Sequence, residues 1–288
     1  MSLALFGTSS GSGAAAQESE SDPHRYVLTS FANGNARAMS VYTSNDAATF
    51  TPLALAVYSP PTGLIRDPSI IRHSDGWYHV VYTTDWNGSE IGFARSRDLL
   101  HWEYQKNLHL PLDGITNAWA PEWFVDLDGS THIVVSLSRS GTGGPFVPHL
   151  MTALDRDLGG WGPPRPMQGL GPNAIDTFIV HHDGRYQAFV KNETTKLIER
   201  ATASSLEGPW THVGTGDWAG WGSWTEGPAL VRRPDGGWRI YFDEYVERRY
   251  WYSDSDDLVQ WTPRRELVGL SGTVRHFTVL KQTPSEAP

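Results

Sequence analysis

The sequence contains no cysteine, which excludes disulfide bonds and cysteine-ligated metal sites. It has no apolar run long enough to span a bilayer, so no membrane partner is expected. Basic residues are scarce, with 23 Lys and Arg against 32 Asp and Glu, and the net charge is −9. Because no basic cluster offsets this charge, nucleic acid is not expected as a partner either. Sustained helical periodicity is also missing, which favours an all-β chain.

The first 22 residues differ in composition from the rest of the chain. They are rich in small polar residues, and we expect a disordered leader over residues 1–22 followed by one catalytic domain over residues 23–288. Residues 14–17 (AAAQ) resemble the end of a secretory signal, although no basic stretch precedes them. The expectation is a secreted protein of bacterial type, with a cytoplasmic location and a simple linker as the alternatives.

A repeated turn divides the remaining sequence into units of about 50 residues. The turn is an Asp-Gly pair, typical of tight hairpins, and it recurs at Asp75-Gly76, Asp128-Gly129, Asp183-Gly184 and Asp235-Gly236. A β-prone run lies on each side of every pair. An aromatic residue that we interpret as blade packing closes each unit: Trp102, Trp161, Trp210 and Trp261. Each unit therefore predicts a four-stranded antiparallel blade.

A fifth unit is divided between the two ends of the chain. Residues 38–53 match the outer half of a blade, residues 26–31 supply the preceding strand, and residues 277–280 supply an innermost strand. Pairing the C-terminal strand with the N-terminal blade would close the ring and remove open sheet edges. The sequence predicts a five-bladed β-propeller, and an open β-sandwich is the alternative.

One position recurs at the start of each predicted inner strand, and it holds Asp67, Glu122, Asp176, Glu226 and His276. Inner strands of a propeller run in one direction along the axis, so these side chains should converge on one mouth. A single acidic residue there is explained by local hydrogen bonding to backbone amides. Four converging carboxyl groups repel one another and indicate a functional site.

Two carboxyl groups that face a sugar are the minimum for glycoside hydrolysis. One donates a proton to the leaving oxygen, the other activates water or attacks, and a third can set the pKa of the acid. Glu226 is the expected acid, because Trp221 and Trp224 nearby would desolvate it and raise its pKa.

Four ordered motifs support this chemistry: RDPSI at residues 66–70, WAPE at 119–122, IDTF at 175–178 and TEGP at 225–228. Together they resemble glycoside hydrolase family 43 and its furanosidase relatives, from about residue 60 onward. The resemblance implies a five-bladed propeller and an inverting enzyme that cleaves arabinose- or xylose-containing glycans. An activity similar to that of α-L-arabinofuranosidases is the expectation.

The same resemblance implies roles for individual residues. Asp67 resembles the general base, Asp176 the acid that modulates the proton donor and orients substrate, and Glu226 the general acid. The segment around His276 resembles one that lies beside a central calcium ion or water cluster, so His276 is a candidate metal ligand. No other cofactor is expected, and the partner is an oligosaccharide or polysaccharide.

Further residues are expected to contact the sugar, namely Arg66, Trp119, Glu122, Phe178, Trp224 and Arg275, with Trp86 as another stacking candidate. For the aromatic residues, blade packing is an equally good explanation. Lys191-Asn192-Glu193 is interpreted as a solvated loop, and His73 and His181-His182 as surface residues.

Three functions remain open beside the arabinofuranosidase-like one. The first two are a retaining fructan hydrolase and a glycan phosphorylase on the same kind of propeller. The third is a carbohydrate-binding propeller without catalysis, which has no use for unneutralised carboxylates at one mouth.

Overall fold

The computed structural model describes residues 26–282, which form five antiparallel sheets of four strands each. In chain order the strands are β1 (Tyr26–Ala32), β2 (Asn35–Ser44), β3 (Thr51–Tyr58), β4 (Arg66–Arg72), β5 (Tyr78–Thr83), β6 (Glu90–Ser96), β7 (Trp102–His109), β8 (Asn117–Val125), β9 (Thr131–Ser138), β10 (Phe146–Thr152), β11 (Arg165–Pro166), β12 (Ala174–His182), β13 (Arg185–Asn192), β14 (Leu197–Ala203), β15 (Thr211–Gly214), β16 (Thr225–Arg232), β17 (Trp238–Glu244), β18 (Arg249–Ser255), β19 (Arg265–Glu266) and β20 (Val274–Lys281). The predicted leader, residues 1–22, lies outside the described residues. Within residues 26–282, no helix has the length and apolar character needed to cross a membrane.

Each sheet is one blade, and its first strand lies at the axis. Blade I joins β20, β1, β2 and β3, and blades II to V follow the chain as β4–β7, β8–β11, β12–β15 and β16–β19. The five inner strands contact one another in a ring in the order β20, β4, β8, β12 and β16. The predicted five-bladed β-propeller is confirmed, and the open β-sandwich is wrong.

The ring closes through blade I as predicted. Strand β20 pairs antiparallel with β1, with Leu280 opposite Val27 and Val279 opposite Leu28. The first and last strands of the described chain therefore share one sheet, and the ring has no unpaired inner edge.

The apolar core lies between the blades, because each blade buries both faces against its neighbours. Five separate clusters of buried residues occupy the five interfaces. Each cluster contains one aromatic residue from the outer part of a blade, in ring order Phe50, Trp102, Trp161, Trp210 and Trp261. The four tryptophans predicted to pack the blades do so.

The four Asp-Gly pairs form the turns between first and second strands, as their spacing predicted. Their glycines have positive φ values of 71–94°, a conformation in which a side chain is strained. These turns set one end of every inner strand, and the site lies at the other end.

Candidate active site

Each inner strand carries a β-bulge near its beginning, where its pairing with the neighbouring strand changes register. One residue in each bulge adopts a positive φ between 26° and 59°, and these five are Asp67, Ala120, Asp176, Gly227 and His276. Such a conformation is uncommon for residues other than glycine and is often found at functional sites. Because the inner strands are parallel around the axis, the five bulges surround one mouth.

Three predicted ring residues occupy the bulge position, and two are offset from it. Glu226 lies one residue before Gly227, and Glu122 lies two residues beyond the bulge of its strand. A bulge redirects the side chains on either side of it, so one alignment does not hold along the strand. Glu122 lies deeper in the axis, where it accepts hydrogen bonds from Ser69 Oγ at 2.7 Å and Thr278 Oγ1 at 3.0 Å. This placement corrects the expectation that Glu122 contacts substrate.

A second layer of residues supports the bulges from the second strands. Each member lies opposite the bulge of its own blade and contacts the inner strand of the next blade, and the five are Phe31, Thr83, Ser136, Lys191 and Asp243. Thr83 and Ser136 accept hydrogen bonds from the bulge amides of the next blade, at 2.8 and 3.2 Å. Lys191 and Asp243 form ion pairs, and Phe31 a cation–π contact, with the residue before the next bulge. The second-layer residue that contacts the inner strand is a cation only at β16, where it is Lys191. At the other four inner strands this residue is neutral or anionic.

The interpretation of Lys191-Asn192-Glu193 as a solvated loop is wrong. Lys191 belongs to β13, and its side chain is 3% exposed. Its ammonium contacts Glu193 Oε2 at 2.9 Å and Glu226 Oε2 at 2.8 Å. The sequence does indicate the position of Lys191, because the eighth residue after the Asp of each Asp-Gly pair belongs to this second layer. These residues are Thr83, Ser136, Lys191 and Asp243.

A cavity of about 400 Å³ opens at this mouth. Its lining combines charged and aromatic residues, namely Arg66, Asp67, Thr83, Trp86, Trp119, Ile175, Asp176, Lys191, Glu193, Glu226, Tyr245, Arg275 and His276. The structure thus brings together all three predicted catalytic residues with Arg66, Trp119, Arg275 and His276. A larger cavity of about 540 Å³ lies at the opposite end of blades II and III. Its walls are turns, and it lacks this convergence of buried acids.

Asp67 and Asp176 face each other across His276. Thr83 Oγ1 donates a hydrogen bond to Asp67 Oδ2 at 2.8 Å, and Gly227 N donates one to Asp176 Oδ2 at 3.0 Å. His276 Nδ1 is 3.4 Å from Asp67 Oδ1 and 3.8 Å from Asp176 Oδ2. Burial raises the pKa of Asp176 to about 6, and the neighbouring carboxylates add to this effect although His276 opposes it.

His276 supplies positive charge to the centre of the site. Burial alone would lower its pKa, but the surrounding carboxylates, with Asp176 and Asp67 foremost, raise the pKa of His276 above its ordinary value. These carboxylates thus favour the protonated form of His276. Calcium prefers oxygen ligands, so an imidazole nitrogen is a poor direct ligand for it.

Glu226 is clamped by two cations. Lys191 Nζ donates to Oε2 and Arg275 Nη2 donates to Oε1, both at 2.8 Å. Burial alone would raise the pKa of Glu226, but the ammonium and the guanidinium outweigh it and hold the pKa below its ordinary value. The expectation of a raised pKa from Trp221 and Trp224 is wrong, because the two cations lower the pKa of Glu226 more than burial raises it.

Arg275 links Glu226 to a further buried acid. Its Nε donates to Asp243 Oδ2, and its Nη2 donates to Glu226. Burial raises the pKa of Asp243 to about 6, with Arg275 opposing this effect and Glu226 adding to it. Sequence reasoning missed Asp243, which lies at the layer position described above.

Two tryptophan side chains, Trp86 and Trp119, line the cavity together with these charged residues. The Arg66 guanidinium lies between two rings, 4.0 Å from the centroid of Trp86 and 4.7 Å from that of Phe31. Trp119 Nε1 donates to the Trp86 carbonyl oxygen at 3.0 Å, and its ring stacks on Phe146 at 4.7 Å. The Trp86 and Trp119 rings meet edge to face, and an aromatic ring beside hydrogen-bonding groups suits the face of a sugar ring.

Two predicted sugar contacts are displaced from the cavity. Phe178 lies two residues beyond the Asp176 bulge and packs in the cluster between blades IV and V. Trp224 is 48% exposed and contacts Tyr245 edge to face at 6.0 Å, outside the cavity lining. A bulge separates Phe178 from Ile175, whereas Trp224 lies just before β16 and ahead of its bulge. Tyr245, which does line the cavity, was missed.

Comparison with known proteins places the chain among carbohydrate-active domains. The model of a family described as a probable glycosyl hydrolase domain matches residues 22–287. An α-L-arabinofuranosidase of Bifidobacterium longum is 25% identical over 205 residues, which cover 58% of this chain and 19% of that protein. Beta-fructofuranosidase 1 of Zea mays is 36% identical over 77 residues, which cover 25% of this chain and 10% of that protein. The chain thus spans a fifth or less of the curated relatives it matches.

A solved structure shows the same fold over most of the chain. The endo-1,4-beta-xylanase of Bacteroides thetaiotaomicron superposes with a TM-score of 0.59 at 14% identity, covering 84% of this chain and 85% of its own. At this identity the likeness concerns the fold alone.

Proposed function

Since the chain belongs to the glycosyl hydrolase family 43-related domains, we propose that it is an inverting glycosidase. Its substrates are arabinose- or xylose-containing glycans, with an activity similar to that of α-L-arabinofuranosidases. The convergence of Asp67, Asp176 and Glu226 around His276 at the mouth of one cavity carries this proposal. The partly matching α-L-arabinofuranosidase supports the choice of sugar.

In this reaction Asp67 is the general base. Its carboxylate accepts a proton from a water molecule as the water oxygen bonds to the anomeric carbon. Thr83 holds Oδ2 by a 2.8 Å hydrogen bond and so orients the carboxylate. The bond from the anomeric carbon to the leaving oxygen breaks on the opposite side, and one attack from one side inverts the configuration.

Glu226 is the general acid, and its proton goes to the leaving oxygen. In the free protein its two cations keep it ionised, while Asp176 retains a proton up to a pH of about 6. Asp176 and Glu226 interact strongly, so their protonation is a property of the pair. Sugar hydroxyls that take Lys191 or Arg275 as donors would weaken the clamp and allow Glu226 to carry the proton. Asp176 acts through Glu226 and through its contact with the Gly227 amide.

The test uses aryl α-L-arabinofuranoside, aryl β-xyloside and arabinan with the wild type, Glu226→Ala and the control Glu266→Ala. Glu266 is a partly exposed glutamate of the same blade, paired with Arg249. We expect Glu226→Ala to lose activity on natural linkages about 10²–10⁴-fold and to retain more on the aryl glycoside, whose leaving group needs less protonation. NMR of the first product should show inverted configuration.

Equal activity of wild type and Glu226→Ala on arabinan would reject Glu226 as the acid. A retained configuration would reject the inverting mechanism. If saturable sugar binding survives in Glu226→Ala and no reducing ends form with the wild type, the domain is a binding module.

A fructan hydrolase is the second candidate, and the partial match to a β-fructofuranosidase favours it. Arabinofuranosides and fructans are both furanosides, so the same cavity could bind either substrate. Cleavage of sucrose or inulin, faster than that of arabinofuranosides, would decide for it. Phosphate-dependent release of a sugar phosphate from any of these substrates would instead identify a phosphorylase.

A further inference from the structure

A cluster of two histidines and one aspartate lies at the turn between β4 and β5, at the opposite end of the propeller from the cavity. His79 Nε2 is 3.0 Å from Asp75 Oδ2, and His73 Nδ1 is 3.4 Å from Asp75 Oδ1. One ligand atom from each of the three residues lies within 4.8 Å of the others. In residues 26–282 this is the single group of three such side chains that meets this spacing.

The hairpin itself brings the two histidines to one face. His79 pairs with Ile71 across the sheet, and His73 follows two residues after Ile71, just beyond the end of β4. Residues at this diagonal spacing are close neighbours on one face of an antiparallel pair. His73 N donates to the Trp77 carbonyl oxygen at 2.9 Å, which closes the turn.

The same turn occurs in blades III and V with other side chains, which gives an internal comparison. In blade V the two flanking positions hold Arg233 and Arg239, and their guanidinium groups pair with carboxylates. In blade III they hold Asp126 and His132. The turn geometry is therefore independent of the histidines, so the two imidazoles of blade II are not needed to form it.

Burial favours metal binding over a loose surface contact. The side chains of His73 and His79 are each 9% exposed and that of Asp75 is 28% exposed. The cluster is thus partly shielded from solvent, and Asp75 is its most exposed member. The guanidinium groups of Arg95 and Arg97 lie nearby, at 4.1 and 4.2 Å from the centroid of the Trp77 ring. Arg95 also forms an ion pair with Glu103, which balances its charge.

We propose that His73, Asp75 and His79 bind a divalent transition-metal ion, with Zn²⁺ as the reference ion, and that water completes the coordination. Two imidazole nitrogens and one carboxylate oxygen suit Zn²⁺, Ni²⁺ or Cu²⁺, whereas Ca²⁺ and Mg²⁺ prefer oxygen ligands. The ion would tie β4 to β5 at the end opposite Asp67, and its role would be structural.

The test is calorimetric titration of Zn²⁺ into the full chain, untagged and freed of metal with EDTA. We expect one saturable site per chain, and a rise in Tm of about 3 °C or more at saturating Zn²⁺. Co²⁺ in place of Zn²⁺ should give a visible absorption band, which reports the ligand set directly.

Three variants locate the site. His73→Ala and His79→Gln should abolish the Zn²⁺-dependent rise in Tm. Asp75→Asn should weaken binding about tenfold or more while its amide oxygen still accepts the hydrogen bond from Trp77 N, which is 2.9 Å long in the wild type. The matched control is His132→Gln, a buried histidine at the corresponding position of blade III, and it should bind Zn²⁺ as the wild type does.

Unchanged binding by His73→Ala would overturn the proposal and place the ion elsewhere, for example among the carboxylates around His276. Absence of saturable Zn²⁺ binding by the wild type would overturn it as well. If His79→Gln does not fold, His73→Ala provides the test, because His73 lies outside both β4 and β5 and its replacement does not affect their pairing.

Discussion

Glu122 and Glu226 show how the partners of a buried carboxyl group set its charge. Both are largely buried, but Glu122 faces two hydroxyl groups and Glu226 faces two cations. Burial raises the pKa of Glu122 to about 7, with the hydroxyls of Ser69 and Thr278 opposing it. A carboxyl group without a nearby cation prefers the neutral form, and one between cations stays ionised.

Glu122→Gln should therefore flatten the dependence of stability on pH. Because the folded pKa of Glu122 is raised to about 7, the folded state binds the proton more tightly than the unfolded state does. Stability from this group is present below its unfolded pKa and is lost as the pH rises through 7. Urea unfolding measures the free energy of unfolding at pH 5.5 and at pH 8. Its decrease between the two pH values should be about 2 kcal/mol smaller in the variant than in the wild type.

Equal losses in Glu122→Gln and the wild type would mean that Glu122 is already ionised in the folded protein at pH 5.5. Asp176 and Asp243, whose pKa values are raised to about 6, contribute the same sign of dependence to both proteins and cancel in the comparison.

Lys191→Gln should move the pH profile of catalysis. Lys191 lowers the pKa of Glu226, so its removal raises that pKa. If Glu226 is the acid, the alkaline limb of kcat/KM moves to higher pH by about one unit, because a nearby opposite charge shifts a carboxyl pKa by that order. The pH profile on an aryl glycoside measures this shift.

Lys196→Gln is the matched control for Lys191→Gln, since the ion pair of Lys196 is with Glu193. Its alkaline limb should stay in place. A shift of the acidic limb in Lys191→Gln, with the alkaline limb unmoved, would give Glu226 the role of base.

At the scale of single strands, the bulges explain which site residues could be predicted. Asp67, Asp176 and His276 stand at equivalent positions because each lies within a bulge. The sequence shows an acidic residue near the start of four inner strands and a histidine in the fifth, but it does not show where each bulge lies. Glu122 lies two residues beyond Ala120, the bulge residue of its strand, and is displaced from the cavity, since an extra backbone residue is not visible in a pattern of residue types.

Gly227→Ala should disrupt the site through its bulge. A Cβ at this position would lie 2.9 Å from two ring carbons of His276, and the backbone φ is +59°. We expect a loss of activity of about 100-fold or more, because His276 would have to move away from Asp67 and Asp176. Initial rates and a melting curve measure the two effects.

Gly236→Ala is the control, because its φ is +94° and a Cβ there meets nothing within 4 Å. Both variants should lose about 1 kcal/mol of stability from backbone strain, and Gly236→Ala should keep its activity. Similar activity losses in both would mean that strain, and not the contact with His276, causes the defect.

For the whole molecule, a regular spacing made the fold predictable. The Asp-Gly turns and the outer aromatic residues repeat once per blade, so the number of blades and the ring closure follow from counting. The cations on Glu226 arise from contacts between blades, which connect residues 35 and 49 positions apart. Contacts of this kind are set by the assembled ring, and a repeat within one blade does not reveal them.

Ending the chain at Thr273 should prevent the monomeric fold. This truncation removes β20, which supplies Val274, Phe277 and Val279 to the cluster between blades V and I. The Phe277 ring stacks on Tyr250 at 4.0 Å, and loss of the strand also leaves one edge of β1 unpaired, with β2 still on the other edge. Size-exclusion chromatography should show aggregates or exchanged oligomers.

The control for this truncation ends at Gln282 and keeps every strand, so it should elute as the full chain does and melt at a similar temperature. A monomeric, cooperatively melting chain that ends at Thr273 would show that closure by β20 is dispensable.

The contact of each second strand with the next inner strand has a consequence for protein engineering. A chimera that exchanges whole blades, with crossovers in the loops that lead to β8, β12, β16 and β20, separates Thr83, Ser136, Lys191 and Asp243 from their partners. Crossovers at the Asp-Gly turns keep each of these residues with the inner strand it supports. The segment that can be exchanged without breaking these contacts therefore begins at the second strand of one blade and ends with the inner strand of the next blade.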